Sequence, residues 1–240
     1  MATPTIKSAN AEQEASLAGV LTLAFMNDPV SRWFWPNPLD YLTNYPLMVK
    51  CFGGNAALKH NSAYYLEDWS GAAIWLPPGV EIDAEGVLAV LQSSLSQKKL
   101  EQGLAVMEQI ASYHPKEPHW YLAIIGADPS CQGRGSGSAL MRHALEACDR
   151  DKEFAYLESS NPRNLSFYLR HGFDLAGAIH VATSRPSFRW CANHADWIQS
   201  APRIFSANCV DCGVELPSDW GAQPDRWSCG VIDAQAHKQA

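Results

Sequence analysis

The chain has 240 residues, a net charge of -7 at pH 7, 47% hydrophobic residues and 18% charged ones. Its acidity argues against nonspecific binding to nucleic acid, and its composition excludes a disordered chain. The length suits one full-sized core.

The N-terminus, Met1-Ala2-Thr3-Pro4-Thr5-Ile6-Lys7, has no basic patch followed by an apolar core, so no signal peptide is expected. The apolar stretch 17–25 contains Gly19 and Thr22 and is too short to span a bilayer, and no membrane association is expected elsewhere. The seven cysteines are odd in number and unevenly placed, which predicts reduced thiols in a cytoplasmic protein.

Apolar residues at Leu17, Val20, Leu21, Leu23, Ala24 and Phe25 predict an amphipathic helix over 10–26, ended by Asn27-Asp28-Pro29. An aromatic, proline-punctuated loop, Arg32-Trp33-Phe34-Trp35-Pro36-Asn37-Pro38, is expected next. A helix follows over 41–52, interrupted near Pro46. Residues 63–67 and 72–76 read as two strands of a hairpin joined by Asp68-Trp69-Ser70-Gly71. The 83–112 stretch is helical in pattern, with Leu88, Val90, Leu91 and Leu95 and later Leu104, Val106, Met107 and Ile110 on apolar faces. Beyond it come a strand over 119–125, a glycine-rich turn, a helix over 135–149 and a strand over 154–158. A short helix over 164–171 and a strand from Gly172-Phe173 to about 182 complete the order. This is an α/β arrangement on a mixed sheet.

The turn between the 119–125 strand and the 135–149 helix carries the chemistry. Gly133, Gly135 and Gly137 allow positive φ and close approach to a ligand, and amides opening a helix point outward together. A pyrophosphate is the natural occupant, and Arg134 adds a screened charge at the mouth. A P-loop is excluded because Gly137 is followed by Ser138-Ala139 rather than by lysine. A dinucleotide fingerprint starting at Gly135 would place a glycine where Leu140 stands. An isolated glycine triple is as often a tight turn that binds nothing, so the context must decide.

That context is specific. Asp128-Pro129-Ser130-Cys131-Gln132-Gly133-Arg134-Gly135-Ser136-Gly137-Ser138-Ala139-Leu140 resembles the Gln/Arg-x-x-Gly-x-Gly/Ala signature of GNAT N-acetyltransferases. A second block resembles that family's later motif: Leu157-Glu158-Ser159-Ser160-Asn161-Pro162, then Asn164-Leu165-Ser166-Phe167-Tyr168 and Gly172-Phe173. The aromatic loop and His119-Trp120-Tyr121-Leu122 also resemble, less specifically, the branch that includes puromycin N-acetyltransferase. The resemblance covers about residues 10–183. It implies a GNAT-type mixed, mostly antiparallel sheet flanked by helices, in a domain spanning 1–184.

The resemblance further implies acetyl-CoA as co-substrate, with no metal and no covalent intermediate. The strand backbone at Ile125, Gly126 and Ala127 would bond the pantetheine arm, and the amides of Gln132, Gly133, Arg134, Gly135, Ser136, Gly137 and Ser138 would hold the pyrophosphate. Asn164 would contact the arm, and Tyr168 would protonate the departing thiolate; a packed core tyrosine is the rival reading. Glu158, ending its strand at the cleft, is the candidate general base. Glu67 and Asp68 are rivals, and Asp28 is a more distant one. Three large aromatics in a row cannot all face inward, so Trp33, Phe34 and Trp35, with Trp75 and Trp120, are candidates for an acceptor pocket. Core packing explains them as readily. The expected partner is a small-molecule amine, on a monomer or homodimer. Acetylation of protein or peptide amines, or an acetyl-CoA-binding regulator without turnover, are the alternatives.

Residues 185–240 hold four of the nine tryptophans and four of the seven cysteines, with no sustained periodicity. Cys209 and Cys212 form one knuckle-like pair, but Cys191, Cys229 and His194 complete no known zinc spacing. The segment reads as a lineage-specific extension or as the product of a changed reading frame near Ser184. The expectation is a poorly ordered tail that supplies no obvious last strand for the sheet.

Overall fold

A computed structural model describes residues 4–175 and 203–207. In chain order the elements are β1 (Ile6–Ser8), α1 (Glu14–Ala24), α2 (Pro29–Phe34), α3 (Pro38–Val49), α4 (Asn55–Lys59), β2 (Ala63–Leu66) and β3 (Gly71–Leu76). Then follow α5 (Ala84–Ser94), α6 (Gln97–Tyr113), β4 (Trp120–Ala127), α7 (Ser136–Asp151), β5 (Ala155–Ser159), α8 (Leu165–Arg170), β6 (Asp174–Leu175) and β7 (Arg203–Ala207). The sheet order is β1-β2-β3-β4-β5-β7-β6. Strands β1 to β4 pair antiparallel, and β5 joins β4 in parallel. That five-stranded body, open and mostly antiparallel with helices on its faces, is the fold the sequence predicts.

Each face of the sheet buries a separate core. Leu17 and Leu21 of α1, Tyr41 and Val49 of α3 and Leu91 of α5 pack on one face with Ala72, Ile74, Leu76 and Tyr156. Leu140, Ala144 and Cys148 form a stripe along α7 at four-residue spacing. They pack on the other face with Ala73, Trp75, Leu157, Tyr168 and Phe173. A fully buried leucine such as Leu140 contributes about 1.5–3 kcal/mol, so this stripe is what seats α7 and the turn before it.

Three expectations need correction, and one strand was not expected at all. The Trp33-Phe34-Trp35 run is not a loop: Asp28 accepts from the amides of Val30 and Ser31, Pro29 takes the first helical position, and α2 carries the aromatics through Phe34. Pro46 does not interrupt α3, because the carbonyl it leaves without a donor is that of Leu42, a residue 55% exposed to solvent. The break falls instead at Phe52 and Gly53, where φ at Gly53 reaches +117°. The 83–112 stretch is two helices, α5 and α6, divided at Leu95 by its extended backbone. Finally, β1 was not legible, since only its antiparallel pairing with β2 defines it.

In the tail, 203–207 form β7, which pairs in parallel with β5 on one side and β6 on the other. The strand expected to run to about 182 is described only at β6. The remainder of the proposed tail, with Cys191, Cys209, Cys212, Cys229 and His194, lies outside the described residues.

Candidate active site

The site is built on a divergence of two parallel strands. Pairing between β4 and β5 covers Trp120↔Ala155, Tyr121↔Tyr156 and Leu122↔Leu157, and then stops, although β4 continues to Ala127 and β5 to Ser159. The cause lies on the opposite edge of β4. Its register with β3 shifts between Ile74 and Trp75, from Ile74↔Ile124 to Trp75↔Leu122, so that Ala123 is an inserted residue. Such a bulge bends the strand. Gly53 fits against it: a Cβ there would lie 3.2 Å from both Ala123 Cβ and a methyl of Ile74, and the positive φ excludes most other residues. Ile125, Gly126 and Ala127 stay paired with Ala73, Ala72 and Gly71 on the β3 side, and their other edge borders the gap.

The turn after β4 is tightly cross-linked. Asp128 N–H donates to Ser70 O at 3.0 Å, and Asp128 Oδ1 accepts from the amide and hydroxyl of Ser130, both at 2.8 Å. Those two bonds hold its carboxyl below the usual range. Gly133 and Gly135 have φ of +75° and +89°, and a Cβ at either would meet no protein atom within 4 Å. Gly137 differs from the expectation: it is helical, and a Cβ there would touch the Phe167 ring at 3.4 Å. No side chain caps α7, so the amides of Ser136, Gly137 and Ser138 open the helix without an intrahelical acceptor. Exposed Arg134 stands beside them. Left-handed glycines, open space and uncapped amides at a 16-residue helix fit a pyrophosphate.

Tyr168, on α8, is 5% exposed. Burial pushes its hydroxyl well above the usual tyrosine value, and the nearby Asp28 charge adds to the rise. Hydrogen bonds with Ser159 and Asn164 act in the other direction. The hydroxyl therefore sits at the end of β5, on the α7–α8 side of the sheet.

Glu158 occupies the other side of the same strand end, with its side chain 6% exposed. Tyr121 Oη donates to its Oε2, and His114 Nδ1 lies 3.2 Å from Oε1. His114 Nε2 lies 3.0 Å from His119 Nε2, and His119 Nδ1 is 2.8 Å from the Glu117 carbonyl. Burial, then the Glu158 charge, holds Tyr121 well above its ordinary value, and burial lowers His119. Sequence reasoning did not single out His114 or His119 for chemistry. Their only signal was a histidine at each end of the Pro115-Lys116-Glu117-Pro118 connection.

The rival carboxylates separate. Glu67 pairs with Lys7 on the surface, and Asp68 accepts from the Ser70 amide in the β2–β3 turn. Asp28 is not distant: Ser160 Oγ donates to its Oδ2, while Oδ1 accepts from Val30 N, Ser31 N and Ser31 Oγ at 2.9–3.1 Å. Burial pushes this carboxyl up in spite of its donors. A native pKa above the unfolded one, ~3.9, means that its contribution to stability is lost as pH rises through that interval. Asp28→Asn can keep the three Oδ1 acceptances and donate to Ser160. Urea unfolding across pH should then show the variant gaining on the wild-type chain as pH rises through the window, with a constant difference above it. A variant that instead loses ground to the wild-type chain as pH rises would show that the ionised carboxylate itself secures the loop.

The aromatic candidates are divided between the two faces of the sheet, with Trp33, Phe34 and Trp35 in contact on one and Trp75 and Trp120 buried on the other. Trp35 is 2% exposed and donates to Ser94 Oγ at 3.0 Å; Trp120 is buried on the opposite, α7 side of the sheet. Trp33 is partly exposed, with Lys99 Nζ 3.3 Å from its ring centroid. Among the described residues, no group of three or more His, Cys, Asp or Glu side chains is arranged to hold a metal ion. No described helix is long and apolar enough to cross a membrane.

Residues 44–173 match the acetyltransferase (GNAT) family. The chain belongs to that family. The matched span contains the bulge, the gap, the turn and Tyr168. GNAT proteins use acetyl-CoA as co-substrate and act on amines, and this chain is an acetyl-CoA-dependent N-acetyltransferase. It is similar to an uncharacterized N-acetyltransferase of Schizosaccharomyces pombe, 26% identical over 195 residues, which cover 73% of this chain and 76% of that one. In fold it is similar to a Corynebacterium glutamicum structure described as histone acetyltransferase HPA2 and related acetyltransferase. That match has a TM-score of 0.52 and 20% identity, covering 82% of this chain and all of that one. A mosquito arylalkylamine N-acetyltransferase like 5b has a TM-score of 0.51 at 12% identity, covering 73% of this chain and 85% of the other. An agmatine N-acetyltransferase matches with the same score and identity, over 81% and 89%.

Proposed function

We propose that the chain transfers acetyl from acetyl-CoA to a primary amine of a small molecule by direct attack, with Glu158 as base and Tyr168 as acid. The observation that carries this reading is the end of β5, where these two side chains stand on opposite sides of the strand beside the gap from β4. The bound thioester supplies an already activated acyl group. The amides from Gln132 to Ser138 would hold the pyrophosphate, and the β4 edge at Ile125, Gly126 and Ala127 would align the arm. Glu158 takes the proton of the acceptor ammonium, and Tyr168 stabilises charge developing on the leaving sulfur. Asn164 holds the Tyr168 hydroxyl in place. A recessed carboxylate favours a small acceptor over a protein side chain, as do similar folds whose names carry arylalkylamine and agmatine. Trp33 is the aromatic candidate best placed to reach an acceptor, since Trp35 and Trp120 are buried.

Acetyl-CoA at about a hundred times its dissociation constant should raise the unfolding free energy by roughly 2.7 kcal/mol, read by chemical denaturation with and without ligand. Calorimetry showing no heat of binding at millimolar acetyl-CoA would sink the assignment. A library of small amines, followed by release of free thiol, should then yield at least one acceptor. Turnover with peptides alone would move the substrate class to protein amines, and binding without any turnover would leave a regulator.

A further inference from the structure

Three contacts in a row connect Glu158 to the loop before β4, and they can be counted in protons. The Glu117 carbonyl only accepts, so His119 Nδ1 carries the hydrogen of that 2.8 Å bond. The 3.0 Å contact between the two Nε2 atoms needs one hydrogen, and so does the 3.2 Å contact between His114 Nδ1 and Glu158 Oε1. That makes three hydrogens, whereas two neutral imidazoles beside a carboxylate supply two. The hydrogen from Tyr121 lies on the other carboxylate oxygen and fills none of these places. The count is the same whichever tautomer each ring adopts.

We infer that Glu158, His114 and His119 hold one proton between them as a unit, and that the histidines carry the proton taken from the acceptor out toward solvent. The inference rests on Glu158 acting as the base. In the discharged state one of the three contacts lacks its hydrogen. The ammonium N–H bond of the acceptor breaks, its electron pair stays on nitrogen for attack, and its proton fills the vacancy. His114, whose side chain is 34% exposed, then releases a proton to water and the unit is discharged again. Burial at His119 disfavours charge there, which biases the excess proton toward His114 and Glu158. The groups facing the unit are Tyr121 and Tyr156, whose rings lie 4.9 Å from His114, Phe154, stacked on His119 at 5.3 Å, and the Glu117 charge.

The test is a pair of measurements on the full chain. Ring-nitrogen NMR with 15N-histidine should show His114 and His119 changing at one shared midpoint, and Glu158→Gln should move that midpoint for both rings. Separate midpoints, or none that responds to Glu158→Gln, would overturn the unit. In the pH–rate profile of acetyl transfer, His114→Gln should move the acid limb down by about one pH unit or more, because the excess proton is then left to a carboxylate, an intrinsically weaker base than the imidazole that shared it. His119→Phe keeps the stack on Phe154 and does not touch Glu158, yet it should move the same limb in the same direction. An acid limb that stays in place in both variants, with only their melting temperatures lowered, assigns the histidines a structural role and overturns the relay. If no amine is acetylated, the reading of Glu158 as a base fails, while the NMR result still decides whether the three groups share a proton.

Discussion

Tyr168→Phe should lower the single-turnover rate of acetyl transfer by about a hundredfold or more while leaving acetyl-CoA affinity almost unchanged. The hydroxyl is buried and held by Ser159 and Asn164, and its pKa is raised, so it keeps its proton at neutral pH and is available as a donor. Phenylalanine keeps the ring packed against Phe167 and Phe173, whose centroids lie 5.2 and 6.2 Å away. Losing its two hydrogen bonds costs ~1 kcal/mol of stability each, too little to unfold the chain. Unchanged turnover with lost affinity would make Tyr168 a binding residue. No effect on either would make it a core aromatic. The measurement must be a single turnover, since slow product release would hide a chemical defect.

Gly135→Val should weaken acetyl-CoA binding by about 100-fold or more without unfolding the chain. A β-branched residue at φ +89° is strained, and its Cβ projects into space where no protein atom lies within 4 Å, the space a phosphate would need. The variant therefore separates ligand from packing. Normal affinity in a folded variant would place the pyrophosphate elsewhere. Gly137→Val acts by a different route: its side chain presses on Phe167, the neighbour of Tyr168, so it should disturb the rate as well as binding.

Local chemistry made half of this site legible. The apolar stripe of α7 repeats every four residues, and the glycines before it mark a strand-to-helix turn. Both signals lie within a few consecutive residues, so neither needed a partner strand to be read. The same holds for the hairpin of β2 and β3, whose turn lies between two short apolar runs. Helix boundaries were less legible. Asp28 looked like the end of α1 and is instead the cap of α2, because a capping aspartate and a helix-stopping Asp-Pro pair are the same letters.

What only the tertiary structure decided depends on residues far apart in the chain. The gap between β4 and β5 comes from a bulge at Ala123 that fits against Gly53, seventy positions earlier. Asp28 reaches Ser160, and His114 reaches Glu158, because the cap of α2 and the end of α6 lie on the side of the sheet where α1 packs. β7 enters the sheet between β5 and β6 from a stretch with no alternating pattern. Periodicity records which face of an element is buried, but strand order and side-chain convergence are set by pairing across the whole chain. The sequence alone therefore marked the turn and, through its family resemblance, named Tyr168 and Glu158 as candidates, and the packing of the sheet determined what stands beside them.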